Sequence, residues 1–379
     1  MKNLHLMSLD SKFNSYLLKE INDFSPHDIN MFVWRGCNNF PFDADNAIIE
    51  PNWFSADYIN QHHKEWDRIF LHELFLSDRQ VLRLSDEAAK KITWVVWGHD
   101  LYRKPAKPKR NWRSVLKYLY SSMQQKSIFF SGYRKKLAAK VSLFQRIAIG
   151  FPYDEVYIRK KFGATVPVVY GPYFSRDTDR AHADALRELH SKQTHEGTNI
   201  LIGHCGAKFI QHEKYLRKLA KYRNHPIHLF LIMSYLASPE RIEKVEKLAG
   251  SLFSKDQYTI ITELMPRNEY YEFLAKMDLA IFPFLHQAAL GNTKRLAYMG
   301  VKLYLDPRGV LAKGFKAGGV GTFDCRKIGW ISYEKLIQSG PLPDRNETLF
   351  DAFDYERNIH AWEQLLLSAH YSPVMLLNS

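Results

Sequence analysis

Cysteine is scarce in this sequence and no long apolar run occurs, and each shortage excludes a class of protein. The three cysteines, Cys37, Cys205 and Cys325, are odd in number and far apart, so they form neither a disulfide framework nor a zinc-ligand pattern. No segment approaches the roughly 20 apolar residues that span a bilayer, and the N-terminus lacks the apolar core of a signal peptide. We therefore expect reduced thiols, a cytoplasmic location and only peripheral contact with a membrane.

The signatures of several enzyme classes are absent as well. The chain has no Walker A loop, no Gly-x-Ser-x-Gly nucleophile elbow and no protein-kinase pattern. Gly203 and Gly206 follow an apolar run, but the third glycine of a dinucleotide fingerprint is missing. No His/Cys pair has metal-ligand spacing. The sequence therefore predicts neither a bound cofactor nor a metal site.

Acidic residues are missing from one long segment. Residues 101–153 contain thirteen Lys or Arg and no Asp or Glu, an excess equal to the formal net charge of the whole chain, +13. Such a block indicates a polyanionic partner. Nucleic acid, an anionic membrane surface and a phosphorylated substrate are the three alternatives. Helical patterns at 112–126 and 133–144 mix apolar with basic residues, as a membrane-interface helix does and as a solvated surface helix also does.

What the sequence does contain is a regular alternation of strand and helix patterns. The length of 379 residues and the hydrophobic content of 46% suit two folded domains. Short apolar runs predict strands at 4–8, 29–34, 68–72, 92–97, 146–149, 166–170, 199–204, 228–233, 258–262, 279–284 and 301–305, with helical patterns between them that include 77–88, 208–221 and 239–252. This alternation predicts an α/β fold with two Rossmann-like domains whose parallel sheets face a central cleft.

The domain boundaries follow from composition. We expect an N-terminal domain over 1–180, a C-terminal domain over 195–350, and a C-terminal helix and tail over 351–379. The highly charged stretch at 178–196 is interpreted as the linker between the domains. In the tail, the pattern at 355–368 predicts a helix with Trp362 and Leu365 on its apolar face.

One loop in the second half is the best candidate for an anion site. After the strand at 279–284 comes a loop at 286–292, and a helix from Thr293 to Met299 is expected to end at Gly300. Ligands of parallel sheets bind beyond the carboxyl ends of strands and near helix N-termini. We therefore expect a diphosphate here, held by the accessible backbone of Gly291 and by the helix N-cap side chains of Asn292 and Thr293, with positive charge from Lys294 and Arg295. Glu263, at the end of the preceding strand, is a candidate partner for a sugar hydroxyl.

In the first half, polar residues follow several predicted strands. Asp10, His72, His99 and Asp100 stand at or just after strand ends, which a parallel sheet brings to one edge. Transfer of a group to a hydroxyl needs a base beside the attacking oxygen. All four residues are candidates for that base, with Asp100 and Asp10 preferred over the histidines.

Several patches, in order along most of the chain, carry a family resemblance. They comprise His72, the run Trp94-Val-Val-Trp-Gly-His-Asp-Leu-Tyr102, the run Ile200-Leu-Ile-Gly203 with His212, the pair Met233-x-Tyr235, and Glu263, Asp278, Gln287, Gly291 and Trp362. In these patches the chain resembles the bacterial TDP-4-acetamido-4,6-dideoxygalactose (TDP-Fuc4NAc):lipid II transferases of enterobacterial common antigen synthesis. It departs from them at His99, where the family has a small residue, and at 292–295.

The resemblance implies a GT-B glycosyltransferase that is metal-independent and inverting. It implies a nucleotide-sugar donor, TDP-linked, held mainly by the C-terminal domain. The donor-binding residues that we predict there are Gly203, His204, Met233, Tyr235, Glu263, Gln287, Gly291, Asn292 and Thr293. The acceptor implied is a polyprenyl-diphosphate-linked saccharide of surface polysaccharide synthesis, reached by peripheral attachment to the anionic cytoplasmic face of the inner membrane. Because of the departures at His99 and 292–295, a capsule or O-antigen transferase with another sugar nucleotide remains an alternative.

Two readings from other classes stay open. A nucleic-acid-binding protein would use the basic region 103–146, whose aromatic residues could stack on bases; no known module signature supports this, and we expect no nucleic acid partner. An inactive glycosyltransferase-like scaffold would keep the fold without the chemistry.

Overall fold

The chain forms two compact units in the computed structural model, which describes residues 1–8, 14–36, 45–102, 131–163, 165–170, 180–338 and 355–366. Unit 1 comprises Met1–Arg176 together with Tyr355–Ser379, and unit 2 comprises Asp177–Asp354. Each unit contains one parallel sheet with helices between its strands. The predicted α/β class, with two Rossmann-like parallel-sheet units, is confirmed.

Unit 1 is built on seven parallel strands in the order β3-β2-β1-β4-β5-β6-β7. Their bounds are β1 Lys2–Met7, β2 Ile29–Trp34, β3 Ala47–Ile49, β4 Arg68–His72, β5 Ile92–Val95, β6 Arg146–Ile149 and β7 Val168–Tyr170. The inner strands β1, β4 and β5 are buried along almost their whole length. Helices cover both faces of such a sheet, which explains why these strands read as continuous apolar runs rather than as alternating patterns.

The helices of unit 1 before its last strand are mostly short. They are α1 Asn14–Phe24, α2 Ala56–His62, α3 Asp78–Arg83, α4 Asp86–Ala89, α5 His99–Tyr102, α6 Ser131–Ser142 and α7 Pro152–Phe162, with 3-10 turns at Pro51–Trp53 and His63–Glu65. The single helix predicted at 77–88 is wrong. Leu84 leaves helical geometry, and Ser85 starts a second helix by accepting the Ala88 N–H, at 3.1 Å.

The acid-free segment includes one surface helix among its described residues, α6. Residues 103–130, including the pattern at 112–126, lie outside the described residues. In α6, Leu137 and Val141 are buried within unit 1, while Arg134, Lys135 and Lys136 face solvent. The apolar side of this helix is therefore used inside the protein, and these three cations remain outside.

Unit 2 has six parallel strands in the order β10-β9-β8-β11-β12-β13. Their bounds are β8 Thr198–Ile202, β9 Ile227–Ile232, β10 Tyr258–Ile261, β11 Leu279–Phe282, β12 Lys302–Leu305 and β13 Phe323–Asp324. The helices are α8 Arg180–Ser191, α9 His212–Leu219, α10 Pro239–Leu252, α11 Arg267–Ala275, α12 Leu290–Met299, α13 Val310–Ala317 and α14 Tyr333–Ile337, with 3-10 turns at Lys208–Ile210, Ala220–Tyr222, Lys255–Gln257 and Cys325–Lys327.

The charged stretch interpreted as a linker is instead a helix of unit 2. Helix α8 buries Ala183 and Leu186, three residues apart, and it packs against α11 and α12. Asp184 accepts a hydrogen bond from the Tyr298 hydroxyl, and His190 Nδ1 lies 2.8 Å from the Ala275 carbonyl oxygen. The charges that suggested a linker occupy the outer face of an amphipathic helix.

The C-terminal helix α15, Tyr355–Leu366, returns to unit 1. Trp362 is fully buried and lies in the same core cluster as Phe32, Trp34 and Phe70. Arg68 donates to the carbonyl oxygens of Leu365, at 2.9 Å, and Leu366, so a buried cation occupies the negative end of the helix dipole. Burial lowers the pKa of Arg68 from its usual value.

Two further sequence expectations concern cysteines and membranes. Cys205 and Cys325 are buried free thiols, and burial raises the pKa of Cys325 to about 11; Cys37 lies outside the described residues. Of the helices in the described ranges, none is both long enough and apolar enough to cross a bilayer.

Candidate functional site

The topology of each sheet singles out one position at its carboxyl edge. In unit 1 the strand order reverses between β1 and β4, and in unit 2 it reverses between β8 and β11. Ligands of open parallel sheets bind outside the strand ends at such switch points, because the connections on either side leave in opposite directions and open a crevice. The residues that follow these four strands are therefore the first to consider.

In unit 2, strand β8 ends in a turn that requires glycine. Gly203 has φ +71°, and a Cβ there would lie 2.2 Å from Cγ2 of Ile210. Its N–H donates to the Ile281 carbonyl oxygen of β11, at 3.0 Å. A Cβ on Gly206 would lie 2.2 Å from Cβ of Ala237. The backbone after β8 thus turns tightly and packs closely against the next connection, which places His204 at the switch point.

Aromatic rings surround His204 and form the floor of this edge. Its ring lies 5.7 Å from that of Phe284 and 6.2 Å from that of Tyr235, centroid to centroid. His286 and Phe209 extend the cluster, 4.7 Å apart in an edge-to-face contact. Buried rings with polar tips offer stacking surfaces and hydrogen-bonding atoms to a planar or sugar ligand.

Helix α12 begins earlier than the sequence predicts. Its N-cap is Ala289, in the left-handed conformation with φ +53°, so Leu290, Gly291 and Asn292 form the first turn. Thr293 is fully buried, and its hydroxyl donates back to the carbonyl oxygens of Ala289 and Leu290, each at 3.1 Å. The expected capping role of Thr293 is therefore wrong. An anion at this helix would meet backbone N–H groups of the first turn.

The remaining residues of the predicted anion site differ in how accessible they are to a ligand. Gly291 is exposed, and a Cβ there would have no atom within 4 Å, so the space above it is open. Asn292 donates its side-chain amide to the Tyr270 hydroxyl, at 2.8 Å. Arg295 is buried with its guanidinium 3.5 Å from the centre of the Tyr271 ring, away from the solvent that an exposed anion would occupy. Gly291 is thus the member of the loop most open to a ligand.

The other residues assigned to a donor are spread along the same carboxyl edge. Met233 is buried directly after β9, and its N–H donates to the carbonyl oxygen of Ile261, at 2.7 Å. Burial raises the pKa of the Tyr235 hydroxyl. Gln287 is buried after β11, and Glu263 is exposed after β10. The fold brings all of them to one edge, and their roles toward a ligand stay predictions.

Asp278, which also belongs to the resemblance, lies at the opposite, amino edge of the sheet. Its carboxylate accepts the Asn199 N–H at 2.6 Å and lies 2.8 Å from Nε2 of His195. These contacts tie the starts of β8 and β11 together beside a shallow groove lined by residues 193–197. The position of Asp278 favours a structural role.

In unit 1, Asp100 anchors the turn after β5. Its carboxylate accepts hydrogen bonds from Trp94 Nε1, at 2.7 Å, from the backbone N–H of Leu74, at 2.9 Å, and from the N–H groups of Trp97 and Leu101, at 3.2 and 3.0 Å. A carboxylate surrounded by donors in this way is stabilised as an anion and holds its neighbours in place. The geometry favours a positioning role over the predicted role as base.

His72 belongs to the core of unit 1. Its Nε2 lies 3.0 Å from Nδ1 of His5, and the His5 ring stacks between Phe32 and Phe70 at 4.6 and 4.5 Å. Burial lowers the pKa of His72 to about 3, and burial together with His72 lowers the pKa of His5 well below its usual value. Both rings are therefore neutral near pH 7, and their surroundings count against catalysis by His72.

The residue after His72 is one that the sequence reasoning missed. Glu73 is 5% exposed and has φ +93°, a conformation that non-glycine residues rarely adopt. It stands where β4 ends, and the hydroxyl of Ser8, just after β1, donates to its carboxylate. A strained carboxylate at the switch point is a strong functional candidate, because such strain persists mainly where function requires it. No sequence pattern marks it, since strand-end glutamates are common.

Two predicted residues cannot be placed. Asp10 lies outside the described residues, and of His99 only its backbone position, at the start of α5, is described. Within the described ranges no three His, Cys, Asp or Glu side chains are grouped so that they could hold a metal ion.

A family model matches the part of the chain that holds the unit 2 edge. The model describes 4-alpha-L-fucosyltransferases of glycosyl transferase group 56, and it matches residues 158–323. The match runs from within α7 to β13 and so contains Gly203, His204, Gln287 and Gly291. The sequence likeness therefore falls on the unit that carries the predicted donor residues.

Solved structures match the chain along nearly its whole length. A glycosyltransferase from Rickettsia africae is 11% identical over 97% of this chain and 99% of its own, with a TM-score of 0.56. HepE from Anabaena, in complex with UDP and glucose, is 12% identical over 96% and 99%, with a TM-score of 0.56. A trehalose-6-phosphate protein from E. coli, bound with UDP-2-fluoro glucose, is 9% identical over 96% and 98%, with a TM-score of 0.57. The fold is that of GT-B glycosyltransferases.

Proposed function

We propose that the protein is a glycosyltransferase that moves a deoxy or acetamido sugar from a nucleoside-diphosphate donor, TDP-linked, to a polyprenyl-diphosphate-linked saccharide in surface polysaccharide synthesis. The observation that carries this proposal is the match of the fucosyltransferase model to residues 158–323, on a chain with the GT-B fold. The proposed site of work is the cytoplasmic face of the inner membrane, with peripheral attachment.

The donor is assigned to the carboxyl edge of unit 2. The aromatic floor around His204 suits the planar and sugar parts of the donor. Its diphosphate would lie over Gly291, where the first turn of α12 offers N–H groups and the positive end of the helix dipole. Glu263, exposed after β10, is available to a sugar hydroxyl.

Unit 1 would supply the base. In an inverting transfer the acceptor hydroxyl oxygen attacks the anomeric carbon, the bond from that carbon to the diphosphate oxygen breaks, and the hydroxyl proton passes to a base. We assign that base to Glu73, because its carboxylate lies at the unit 1 switch point with the geometry described above. Asp100 is assigned to positioning the loop that follows Glu73, since it holds the Leu74 N–H.

Nucleotide binding gives the direct test. Isothermal titration calorimetry with TDP, UDP and GDP, with and without EDTA, is expected to show binding of TDP above the other two and no dependence on divalent metal. Release of free sugar or transfer to a lipid-diphosphate saccharide should follow with TDP-sugars. If none of the three nucleotides binds, the donor assignment fails; salt-sensitive binding to an oligonucleotide in that case would support the nucleic-acid reading.

The base is tested separately from the donor site. Glu73→Gln keeps the size of the side chain and an oxygen for the Ser8 hydroxyl, so TDP affinity should stay within twofold of wild type. Turnover should fall by about 10²–10⁴, the usual effect of removing a general base. Glu87→Gln, on the exposed side of α4, is the matched control. Full turnover in Glu73→Gln would remove Glu73 from the mechanism while leaving the donor assignment intact.

A further inference from the structure

One exposed tryptophan in unit 2 is not among the residues assigned to the donor. Trp330 is 84% exposed, more than any other large hydrophobic side chain in the described ranges. It belongs to the segment 326–331, here called the Trp330 loop, which follows β13. Exposing a whole indole to water is unfavourable, so its position needs an explanation.

The Trp330 loop is held in place by α9 and the 3-10 turn that follows it, Ala220–Tyr222. Lys218 Nζ donates to the carbonyl oxygens of Arg326, at 2.6 Å, and Ile328, at 2.8 Å. Lys221 Nζ donates to the carbonyl oxygen of Ile331, at 3.1 Å, and the Gly329 N–H donates to the Tyr222 hydroxyl, at 3.1 Å. The loop backbone on both sides of Trp330 is thus fixed, and the indole is presented outward by an ordered support.

Basic residues outnumber acidic residues around this indole. Lys218 and Lys221 bind the loop backbone directly, and Arg326 and Lys327 are exposed within the loop. The carboxylate of Asp324 is occupied by Arg326, with Nη2 and Oδ2 2.7 Å apart. Glu334, in the first turn of α14, is the next acidic residue along the chain. The surface therefore combines a protruding aromatic ring with a local excess of positive charge.

That combination fits an anionic lipid surface. Tryptophan favours the boundary between headgroups and acyl chains, and each nearby Lys or Arg adds attraction to anionic lipid. Helix α6, the surface helix of the acid-free segment among its described residues, cannot insert an apolar face, because Leu137 and Val141 are buried in unit 1. We propose that the Trp330 loop docks unit 2 onto an anionic bilayer by inserting its indole at the headgroup level. This deepens the membrane location of the proposed function and rests on it, but it does not depend on the transfer chemistry.

Vesicle binding tests the proposal. The full chain and its variants are sedimented with vesicles of phosphatidylcholine alone and with vesicles that contain phosphatidylglycerol. Trp330→Ala is expected to lower the partition coefficient on anionic vesicles about tenfold, since the buried part of an indole is worth at least that. Lys221→Gln with Lys327→Gln should lower it about fivefold for each lysine, and added salt should weaken binding further. Bilayer-embedded bromolipids should quench wild-type fluorescence more than that of Trp330→Phe.

The controls separate this surface from the rest of the chain. Ile29→Ala removes a 59% exposed side chain from unit 1, and Lys244→Gln with Lys247→Gln removes two exposed cations from α10 of unit 2. Each should bind vesicles as wild type does. Equal binding of wild type and Trp330→Ala, or no binding of wild type to anionic vesicles, would overturn the proposal; a Trp330-dependent soluble protein complex without vesicle binding would do the same. TDP titration of each variant shows whether the donor site survives independently of this outcome.

Discussion

At the residue scale, the buried pair His5–His72 links the core of unit 1 to pH. Burial lowers the pKa of His72 to about 3, against 6.5 for a free histidine, and the pKa of His5 is lowered as well. Below about pH 6.5 the unfolded chain takes up protons that the folded unit does not. The free energy of unfolding of unit 1 must therefore fall as the pH falls through this window.

We expect His72 to cost about 2 kcal/mol of unit 1 stability on going from about pH 7.5 to about pH 5, and protonation linked to His5 should lower the stability further in the same direction. His72→Gln removes one of the two titrating groups. The free energy of unfolding of this variant should therefore fall about 2 kcal/mol less than that of wild type over the same pH interval, whatever its value at about pH 7.5. Urea unfolding at both pH values measures the difference. His62→Gln, at a partly exposed histidine on α2, should lose as much stability as wild type. If His72→Gln and wild type show the same pH dependence, His72 is protonated in the folded state and the buried neutral pair is wrong.

The same pair shows what strand-end reasoning can and cannot predict. Polar residues after apolar runs were expected at the carboxyl edge of the sheet, because a parallel sheet aligns its strand ends, and His72 at the end of β4 and Asp100 after β5 lie there. Whether such a residue faces solvent or core depends on neighbours that are distant in sequence, as His5 is from His72. Glu73 was missed for a related reason, since its positive φ arises from the turn and not from its residue type.

At the scale of elements, the two glycines of the donor edge should respond differently to the same change. Gly203→Ala places a Cβ 2.2 Å from Ile210 at a φ of +71°, so we expect a loss of roughly 2 kcal/mol or more in unfolding free energy and weaker TDP binding. Gly291→Ala adds a Cβ in open space on the first turn of α12, where stability should change little. If the diphosphate lies over that turn, both variants should bind TDP more weakly. In Gly291→Ala the loss of TDP affinity should occur without a loss of stability, whereas in Gly203→Ala the two losses should occur together.

Thermal unfolding and TDP titration of the two variants provide the comparison. Unchanged TDP affinity in Gly291→Ala would move the diphosphate away from α12. Wild-type stability in Gly203→Ala would mean that the turn after β8 tolerates a side chain and that its close packing on Ile210 is not required.

Element boundaries were predictable where a residue type marks them. Helix α10 begins and ends at the predicted residues, with Ser238 as its cap and Pro239 in its first turn, and Gly300 ends α12 in the left-handed conformation as expected. The start of α12 was misplaced because Ala289 caps it without a side-chain hydrogen bond. A backbone-only cap leaves no trace in the sequence, and the apparent cap Thr293 turned out to be an interior residue.

At the scale of the whole molecule, the chain leaves unit 1, forms unit 2 and then returns to complete unit 1 with α15. The apolar face of this helix was predictable from its periodicity, but its partner was not, because Arg68 and Arg146 are hundreds of residues away in sequence. Both arginines donate to carbonyl oxygens in the last turn of the helix. Unit 1 therefore depends on the last described segment of the chain.

Trp362→Ala should expose this dependence. Removing the fully buried indole from the unit 1 core is expected to cost about 3–5 kcal/mol of unfolding free energy. Trp330→Ala is the matched control, because the same change at a side chain that is 84% exposed should alter the free energy by less than about 0.5 kcal/mol. Denaturant unfolding followed by circular dichroism should show an early transition in Trp362→Ala, while TDP binding persists up to the later transition, since the donor edge belongs to unit 2. Simultaneous loss of structure and TDP binding would mean that the two units unfold as one, and equal stability of the two variants would mean that α15 is not part of the unit 1 core.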